Sequence, residues 1–568
     1  MNTKLLLNSL VILLFVRTNP IFAQWSSNSA INNVVCNAAN VQFQQVAVSD
    51  GSGGVIVAWA DKRSGTGIGA ELNFFDIYAQ RINANGFVQW TANGIPICIA
   101  SGGQRFPNII SDNNGGAIIC WSDERNAANT NTDIYTQHVT SNGTLLWAVN
   151  GVSVCSKINV QQNAELASDG NGGAILTWED RRNGTDDDIY AQSISTSGVT
   201  QWNLDGVLVC NAANNQKNLQ IIAAETGQSI ITWEDKRLSE SSSQVYALKI
   251  NNAGGNAWGG TTTNGVLICA ATICLEPKLV SDGNFGAIIT WYDRRNGVDY
   301  NIYAQKIIAN GTIPWLSVGG LGIEICIEPG DQTMPKICSD GANGAIIVWA
   351  DARQGTTTSQ IYLQHIDADS MIVIPWAANG NRLSISAGVQ NAPAIVADGV
   401  GGAIVSWNDY RNGVNTDIYV QRVNFNGFAL WDSTLNGVAV CSEVSSQSFA
   451  TSIVKGNAGE AIIVWQDSRN TNFDIYAQKI NVTGTLANKY VAVENQFFTL
   501  YPNPTSTGIF SIQSETAIQN ITAFDILGKQ IDVAQSNKSY QINAFNGIYM
   551  LKIIDVDGNS QIKKILKN

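Results

Sequence analysis

The chain has little charge, little proline and almost no histidine. Of its 568 residues, 14% are charged, 11 are proline and 2 are histidine. Beyond the N-terminal segment, no stretch of 18 or more consecutive apolar residues occurs, so the sequence predicts no membrane span. The formal net charge of -12 argues against a basic face that binds nucleic acid or an anionic membrane.

Motifs of common active sites are also missing. The sequence has no Gly-x-Ser-x-Gly elbow, phosphate-binding loop or Cys-x-x-Cys pair. His138 and His365 occupy one repeat position, where other units carry Arg, Lys or Ser. We interpret this as a solvent-facing strand position, which argues against a catalytic or zinc-binding histidine. We therefore assign no catalytic, cofactor-binding or metal-binding residues, and we expect no cofactor.

Apolar residues and glycine are abundant. Hydrophobic residues make up 45% of the chain, and 52 residues are glycine, a composition that favours short strands joined by tight turns. The length exceeds what one ordinary core supports. A repeat array avoids that limit, because each unit buries its apolar face against its neighbours.

The 16 tryptophans fall into two series of eight. Members of the first series recur every 55 to 62 residues, and each is followed by Asp two residues later and by Arg four residues later. This period indicates a repeat architecture. The first series comprises Trp59, Trp121, Trp178, Trp233, Trp291, Trp349, Trp407 and Trp465. The second comprises Trp25, Trp90, Trp147, Trp202, Trp258, Trp315, Trp376 and Trp431.

Each unit reads as four antiparallel strands. In the unit that begins at Pro107, apolar runs flank the turn 113–116, and an alternating run at 133–139 follows a polar loop. The run Gly151–Cys155 completes a fourth strand. Eight such units predict an all-β fold, an eight-bladed β-propeller. An open β-solenoid is the alternative, but its ends would need caps and would not complement one another.

The two ends of the array do complement one another. The eighth unit lacks its second tryptophan and its cysteine, and Trp25 and Cys36 supply both in register. We therefore predict that residues 24–37 form the outer strand of the last blade, which protects the sheet edges. This arrangement resembles the velcro closure of β-propellers such as the WD-repeat family.

Most of the 10 cysteines occupy one position of the repeat. Equivalent positions lie a whole unit apart, too far for a disulfide, so we interpret these cysteines as buried free thiols. Ser386 is expected to fill the position in the sixth unit. Cys269 and Cys274 are the one pair close enough in sequence to bridge locally. The seven equivalent residues are Cys36, Cys98, Cys155, Cys210, Cys269, Cys326 and Cys441.

The Asp-x-Arg pairs are the most frequent polar signal. They could form a ring of ligand-binding pairs, but eightfold recurrence favours structural contacts between blades, because a catalytic group needs its own environment.

The Ser-Asp-Gly turns, such as that at Asp50, suggest calcium, yet they lack the spaced oxygen ligands of an EF-hand and are typical of hairpins. They also resemble the Asp-box of sialidases, with a spacing that does not match.

The second tryptophan series sits in Gly-x-x-x-Trp, as at Gly86 and Trp90. This resembles the tryptophan-docking motif of eight-bladed propellers related to the pyrroloquinoline quinone dehydrogenases, and the resemblance implies packing between blades. The sixth unit departs from it, reaching Trp376 without the glycine. No adjacent Cys-Cys pair is present, so quinone chemistry receives no support.

The chain ends differ from the repeat. Residues 1–23 read as a secretory signal peptide. Residues 24–487 form the predicted propeller and residues 488–497 a linker. Residues 498–568 contain Tyr501-Pro-Asn-Pro504, Asp525-Ile-Leu-Gly-Lys529 and Gly547-Ile-Tyr549, and their alternation predicts a small Ig-like β-sandwich.

That segment closely resembles the type A sorting domain of the type IX secretion system of Bacteroidota. The resemblance implies recognition by the type IX machinery, export across the outer membrane, removal of this domain, and release or attachment at the cell surface. We expect the exported protein to be monomeric.

The sequence favours a binding or scaffold module for an extracellular glycan, polymer or protein, rather than an enzyme. The alternative is a glycoside hydrolase or lyase in which unit-specific carboxylates meet at one end of the propeller channel. Loop residues that could supply such carboxylates are Glu71, Asp76, Asp186, Asp187, Asp188 and Glu240.

Overall fold

The computed structural model describes most of the chain as β-structure. The described residues are 25–63, 74–259, 264–315, 322–355, 358–445, 447–486, 498–514, 516–525, 529–536, 539–556 and 560–568. The predicted signal peptide and linker lie outside them. Within the described ranges, no helix has the length and apolar character needed to cross a lipid bilayer. Two compact units divide the chain, one spanning Ala23–Asn488 and the other including Lys489–Asn568.

The larger unit contains eight four-stranded antiparallel sheets, which we call blades 1 to 8. The N-terminal strand is β1 (Asn33–Cys36). Blades 1 to 4 then comprise β2 (Gln42–Ser49), β3 (Val55–Asp61), β4 (Asp76–Ile82) and β5 (Ile95–Cys98); β6 (Gln104–Ser111), β7 (Ala117–Asp123), β8 (Asp133–Val139) and β9 (Val152–Cys155); β10 (Gln161–Ser168), β11 (Ala174–Asp180), β12 (Asp188–Ile194) and β13 (Val207–Cys210); and β14 (Gln216–Ala223), β15 (Ser229–Asp235), β16 (Gln244–Ile250) and β17 (Val266–Cys269).

The remaining blades repeat this pattern. They comprise β18 (Cys274–Ser281), β19 (Ala287–Asp293), β20 (Asn301–Ile307) and β21 (Ile323–Cys326); β22 (Gln332–Ser339), β23 (Ala345–Asp351), β24 (Gln360–Ile366) and β25 (Asn381–Arg382); β26 (Gln390–Ala397), β27 (Ala403–Asp409), β28 (Asp417–Val423) and β29 (Val438–Cys441); and, in blade 8, β30 (Gln447–Lys455), β31 (Ala461–Asp467) and β32 (Asp474–Ile480).

The blades form a closed ring, as the sequence predicts. The first strand of each blade contacts the first strand of the next, from β2 through β26 to β30, and β30 contacts β2 in turn. These eight strands therefore surround a central channel. β1 pairs antiparallel with β32 and completes blade 8, with Asn33 opposite Ala477. The predicted closure by the N-terminal strand is confirmed.

Tryptophans of the second series join each blade to the next. The indole Nε1 of each donates to a backbone carbonyl in the β-turn of the following blade, at 2.8–3.1 Å. Trp25 in blade 8 donates to Ala84 of blade 1 and so closes the circuit. A Cβ on Gly143, the turn glycine of blade 2, would come within 2.9 Å of the Trp90 ring. In blade 6, Ser370 takes the corresponding left-handed conformation, with φ of 70°.

Each of these contacts lies beside a buried polar Trp–Asp–Arg cluster, which we call a joint between blades. The first-series indole donates to the Asp two residues later at 2.7–3.0 Å, and that carboxylate is also bound by the Arg at 2.5–2.6 Å. In blade 1, Asp61 also accepts from the Cys36 thiol of blade 8, and Arg63 lies 3.8 Å from the centre of the Tyr78 ring. The Asp-x-Arg pairs thus hold the blades together.

The cysteines follow the expected pattern in all but two places. Burial raises the pKa of Cys36 to about 12, so this thiol stays protonated and packs as a small apolar group. Cys269 and Cys274 form a disulfide, in the one blade whose first strand begins with Cys instead of Gln. The expectation for Ser386 is wrong: Arg382 pairs with Tyr362 as Glu324 pairs with Tyr303, and this register puts buried Ser384 in the cysteine position.

The C-terminal unit is a small β-sandwich of two four-stranded sheets, ordered β33-β34-β38-β37 and β36-β35-β39-β40. Phe498, Phe510, Tyr540, Leu551 and Ile565 are among its buried core residues. Its strands are β33 (Thr499–Tyr501), β34 (Ile509–Gln513), β35 (Ile518–Asp525), β36 (Gln530–Ile531), β37 (Val533–Ser536), β38 (Ser539–Ile542), β39 (Gly547–Asp555) and β40 (Ser560–Lys567).

Ring closure makes Trp25 equivalent to an internal docking tryptophan. We expect Trp25→Ala and its matched control Trp147→Ala to lower the free energy of unfolding by similar amounts, about 3–5 kcal/mol each, because both indoles are buried against the next blade. Deletion of residues 24–40 should lower the melting temperature further. Thermal and urea unfolding measure these effects. A loss in Trp147→Ala with no change in Trp25→Ala would refute the closure.

Candidate functional site

The central channel contains two adjoining cavities. The first, of about 520 Å³, lies where the first strands of blades 1 to 5 begin. The second, of about 310 Å³, lies deeper along the strands of blades 1 and 4 to 8. Gln220 and Lys278 line both, so the two cavities adjoin at these side chains. We call them the mouth cavity and the inner cavity.

The channel wall is where the blades differ most in chemistry. Most first strands begin with Gln, and each contains a bulge shortly after its start. The first residue after the bulge lines the channel, and it differs in chemistry from blade to blade. In order from blade 1 to blade 8, the wall residues at this register are Val46, Asn108, Glu165, Gln220, Lys278, Lys336, Ala394 and Ser452. Polar and charged groups therefore concentrate on blades 2 to 6, and small or apolar groups lie on blades 7, 8 and 1.

Glu165 is held between amides of the neighbouring blades. Asn108 Nδ2 donates to Glu165 Oε2 at 2.5 Å, and Gln220 Nε2 donates to Glu165 Oε1 at 3.2 Å. Burial raises the pKa of Glu165, while Lys278 and these two hydrogen bonds oppose the rise. The carboxylate is thus fixed in position across three blades and open to the mouth cavity.

Two further carboxylates connect neighbouring blades at the mouth of the channel. Glu179 Oε1 accepts from the backbone N–H of Asn218 at 2.9 Å, and Glu234 Oε1 accepts from that of Glu276 at 2.6 Å. Asn218 and Glu276 have left-handed backbones, with φ of 51° and 50°. Because a bulge removes these N–H groups from the sheet ladder, the preceding blade supplies their acceptor.

Burial also changes the ionisation of the carboxylates and a lysine in the channel wall. It raises the pKa of Glu179 and of Glu234. Burial and the nearby ammonium of Lys278 lower the pKa of Lys336 to about 8, against the opposing effect of Glu276 and Glu165. At neutral pH the cavity wall therefore carries a lysine that is protonated at a free-energy cost.

The histidine position is not solvent-facing, contrary to the sequence interpretation. His138 and His365 are buried, and each Nε2 lies 3.0 Å from an Asp of a Ser-Asp-Gly turn, Asp112 and Asp340 respectively. Arg81 and Asp50 form the same pair in blade 1 at 3.0 Å. The Arg, Lys and Ser residues of other units suggested exposure, but this position lies at the joint between blades, where the docking turn of the next blade covers it.

The turn aspartates have a local role. Asp50 Oδ1 accepts from the backbone N–H of Ser52 and of Gly54, both at 2.8 Å, so the carboxylate closes its own turn. Equivalent bonds occur at Asp112, Asp169, Asp282, Asp340 and Asp398. With one oxygen bound to the turn and the other facing an Arg, Lys or His side chain in five of these six turns, the aspartates form turns as expected.

The acidic loop residues singled out from the sequence do not converge on the channel. Glu71 lies outside the described residues. Asp76 and Asp188 begin third strands opposite Asp61 and Asp180, and burial raises the pKa of Asp188 to about 6, with added repulsion from Asp186 and Asp180. Asp187 pairs with Lys217 at 3.0 Å. Exposed Glu240 bonds to Asn215. None of the described members of this set lines either cavity.

Sequence reasoning missed Glu165, Glu276, Lys278 and Lys336, although a signal was present. Aligning the units on the residue that begins the first strand shows that the fifth residue differs in charge and size between units, as Asn108, Glu165, Gln220, Lys278 and Lys336 do. Only the ring, however, brings these positions from five blades around one space.

Comparison with known proteins identifies the C-terminal unit. Residues 499–568 match the model of the secretion system C-terminal sorting domain. No curated protein matches the chain significantly. The chain carries a type IX sorting domain, so the protein is exported by that system to the cell surface or the extracellular space. This match confirms the expected localisation at the cell surface or outside the cell, and it confirms recognition by the type IX machinery.

Solved structures with similarity to the chain are remote. An ulvan lyase of a polysaccharide lyase family bound to -[GlcA(1-4)Rha3S]- is 11% identical, with a TM-score of 0.41 over 81% of this chain and 97% of that one. A protein of unknown function from Dyadobacter fermentans is 8% identical, with a TM-score of 0.37 over 80% and 98%. A Penicillium chrysogenum α-L-arabinanase complexed with arabinobiose is 11% identical, with a TM-score of 0.35 over 57% and 94%. None of these similarities indicates an activity for this chain.

The buried ammonium of Lys336 should destabilise the propeller. Its pKa of about 8 lies below the unfolded value of about 10.4, so the native state disfavours the proton. We expect Lys336→Met to raise the free energy of unfolding by about 1–3 kcal/mol at pH 7, with the gain shrinking between pH 8 and about 10.4 as the native wild-type lysine loses its proton before the unfolded chain does. Urea unfolding across this pH range measures the effect. Exposed Lys157→Met is the control, and an equal gain in both variants would contradict the argument.

Proposed function

We propose that the propeller is a binding module for an extracellular glycan, which it takes into the mouth cavity of the channel. The single observation that carries this proposal is the loss of eightfold symmetry in the channel wall. Here residues 24–487 form the binding propeller and residues 498–568 the sorting domain. Structural contacts repeat in every blade, whereas the wall residues differ from blade to blade, as residues that contact an asymmetric ligand would.

The mouth cavity offers the groups that a saccharide requires. Side-chain amides of Gln44, Asn163 and Gln220 and the carboxylate of Glu165 line it, together with Phe106. Side-chain amides can donate to hydroxyl groups and accept from them, and a carboxylate can accept from them. Phe106 is 48% exposed and adds an aromatic side chain to this lining. A mostly preformed cleft with a few convergent polar groups and an aromatic wall is typical of small-molecule sites.

The loops around the mouth also differ between blades. First strands begin, second strands end and third strands begin at the same end of each blade, as the pairing of Gln42 with Asp61 and of Asp61 with Asp76 shows. The loops between second and third strands therefore lie at this end. Among the fully described loops, they span residues 124–132 in blade 2 but only 468–473 in blade 8. Binding residues commonly lie on such variable loops above a rigid scaffold.

An alternative function is hydrolysis or elimination of a polysaccharide at the same cavity. The observation that favours it is that unit-specific carboxylates, Glu165 of blade 3 and Glu276 of blade 5, line one cavity. Burial raises the pKa of Glu165, a property that general acids share. Against this candidate, Glu165 is already bonded by two amides, which favours a fixed acceptor over a group that exchanges protons.

A glycan screen with matched variants tests the proposal. We expect the purified protein to bind a glycan, and Gln220→Ala and Asn163→Ala to weaken that binding by about 1–2 kcal/mol each through loss of a hydrogen bond to the ligand. Asn252→Ala, on a turn at the opposite end of blade 4, is the control and should bind as the wild type does. Glycan-array binding followed by calorimetry gives the affinities.

The same protein should be incubated with polysaccharide substrates to separate the two functions. Turnover that Glu165→Gln or Glu276→Gln abolishes, without loss of ligand binding, would establish the enzyme and overturn the binding module. Binding that is equal in the wild type and in both channel variants would place the ligand elsewhere and refute the site.

A further inference from the structure

Two lysines of adjacent blades line the inner cavity without an anionic partner. Lys278 lies on β18 and Lys336 on β22, and both side chains contribute to the cavity wall. Neither ammonium forms a hydrogen bond or an ion pair with another described residue. Elsewhere in the propeller the buried lysines are paired: Lys249 with Glu225, Lys306 with Asp282 and Lys479 with Glu460. The channel pair is therefore an exception among the described residues.

Neither nearby carboxylate forms an ion pair with these lysines. Glu165 is committed to Asn108 and Gln220, and Glu276 lines the mouth cavity rather than the inner one. The lowered pKa of Lys336 agrees with this, because burial and Lys278 together outweigh the attraction of Glu276 and Glu165. An anion placed between the two ammonium groups would relieve both burial and mutual repulsion.

The surroundings fit an anionic group that is attached to a larger molecule. Leu279, Ile337 and Ile395 border the inner cavity but pack against the hydrophobic cores of their blades, so the polar side chains of its lining are those of Gln220, Lys278, Lys336 and Ser452. The cavity of about 310 Å³ has room for a carboxylate or a sulfate ester together with part of a sugar ring. Since Lys278 and Gln220 line both cavities, a chain bound in the mouth can place an acidic substituent beside the lysines.

We propose that Lys278 and Lys336 bind the carboxylate or sulfate ester of an acidic polysaccharide whose adjacent sugar lies in the mouth cavity. This inference rests on the proposed function and narrows its ligand class to acidic glycans. The two lysines supply charge and up to six N–H donors, and Ser452, which also lines the inner cavity, adds a hydroxyl donor.

Calorimetric titration of the purified protein in four arms tests this assignment. The probes are an oligogalacturonate, a dextran sulfate oligosaccharide, a neutral dextran oligosaccharide and sodium sulfate. The proteins are the wild type, Lys278→Gln, Lys336→Gln, the charge-conserving Lys336→Arg and the exposed control Lys157→Gln. We expect at least one acidic oligosaccharide to bind, with affinity lowered about ten-fold or more in each channel Gln variant and retained in Lys157→Gln. Lys336→Arg should keep most of the affinity.

The titrations with the four probes distinguish the possible ligand classes. Preference for the oligogalacturonate identifies a carboxylate ligand, and preference for dextran sulfate a sulfate ester; either supports the proposal. Equal affinity of all variants for the acidic probes overturns it, as does binding of the neutral probe alone, which would leave the binding module intact.

If no oligosaccharide binds, the proposed function fails for these glycans, and the sulfate arm decides the anion site alone. A sulfate-dependent rise in the melting temperature of the wild type and of Lys157→Gln, absent in Lys336→Gln, supports the site. Absence of any such difference overturns it. Melting curves without ligand verify that each variant is folded.

Discussion

The docking of one indole into the turn of the next blade is the contact on which the rest of this structure depends. A single four-stranded blade cannot bury both of its faces, so it is stable only between two neighbours. The second-series tryptophans supply that neighbour contact eight times, and behind each lies the buried Trp–Asp–Arg joint. Because the contact is directional, from one blade to the following one, an open array would leave one indole without a turn and one turn without an indole. Trp25 and the turn of blade 1 satisfy each other and close the ring.

Closure also explains where chemistry can vary. Residues in the joints are constrained in every blade, since each carboxylate, thiol and guanidinium there has partners on both sides. Residues that face the channel take no part in these joints, so they are free to differ. The charged and amide side chains of blades 2 to 6 face the small side chains of blades 7, 8 and 1 across the channel. A symmetric scaffold thus carries an asymmetric cavity, and within it Lys336 lies beside Lys278 at a cost in stability.

Much of the fold could be predicted, because the features that set it are local and repeated. The Trp-x-Asp-x-Arg pattern, the Asn-Gly turns and the strand-length apolar runs each determine a structure within one blade, and Trp25 with Cys36 showed how the ends meet. The errors have a common origin. The histidine position carries Arg, Lys or Ser in other units, as an exposed strand position would, yet the next blade covers it. The cysteine position in blade 6 shifted from Ser386 to Ser384, because only the register of the short strand β25 fixes it.

The sequence by itself determined the eight blades, the closing strand, the sorting domain and the residues of the joints, since each follows from a local motif or its period. The tertiary structure alone decided the candidate site. Glu165, Gln220, Lys278 and Lys336 are separated by about one repeat each along the chain and carry no shared motif, and they meet only because ring closure brings the first strands around one channel. Their environment, buried and short of negative charge around the lysines, is a property of that convergence rather than of any single segment.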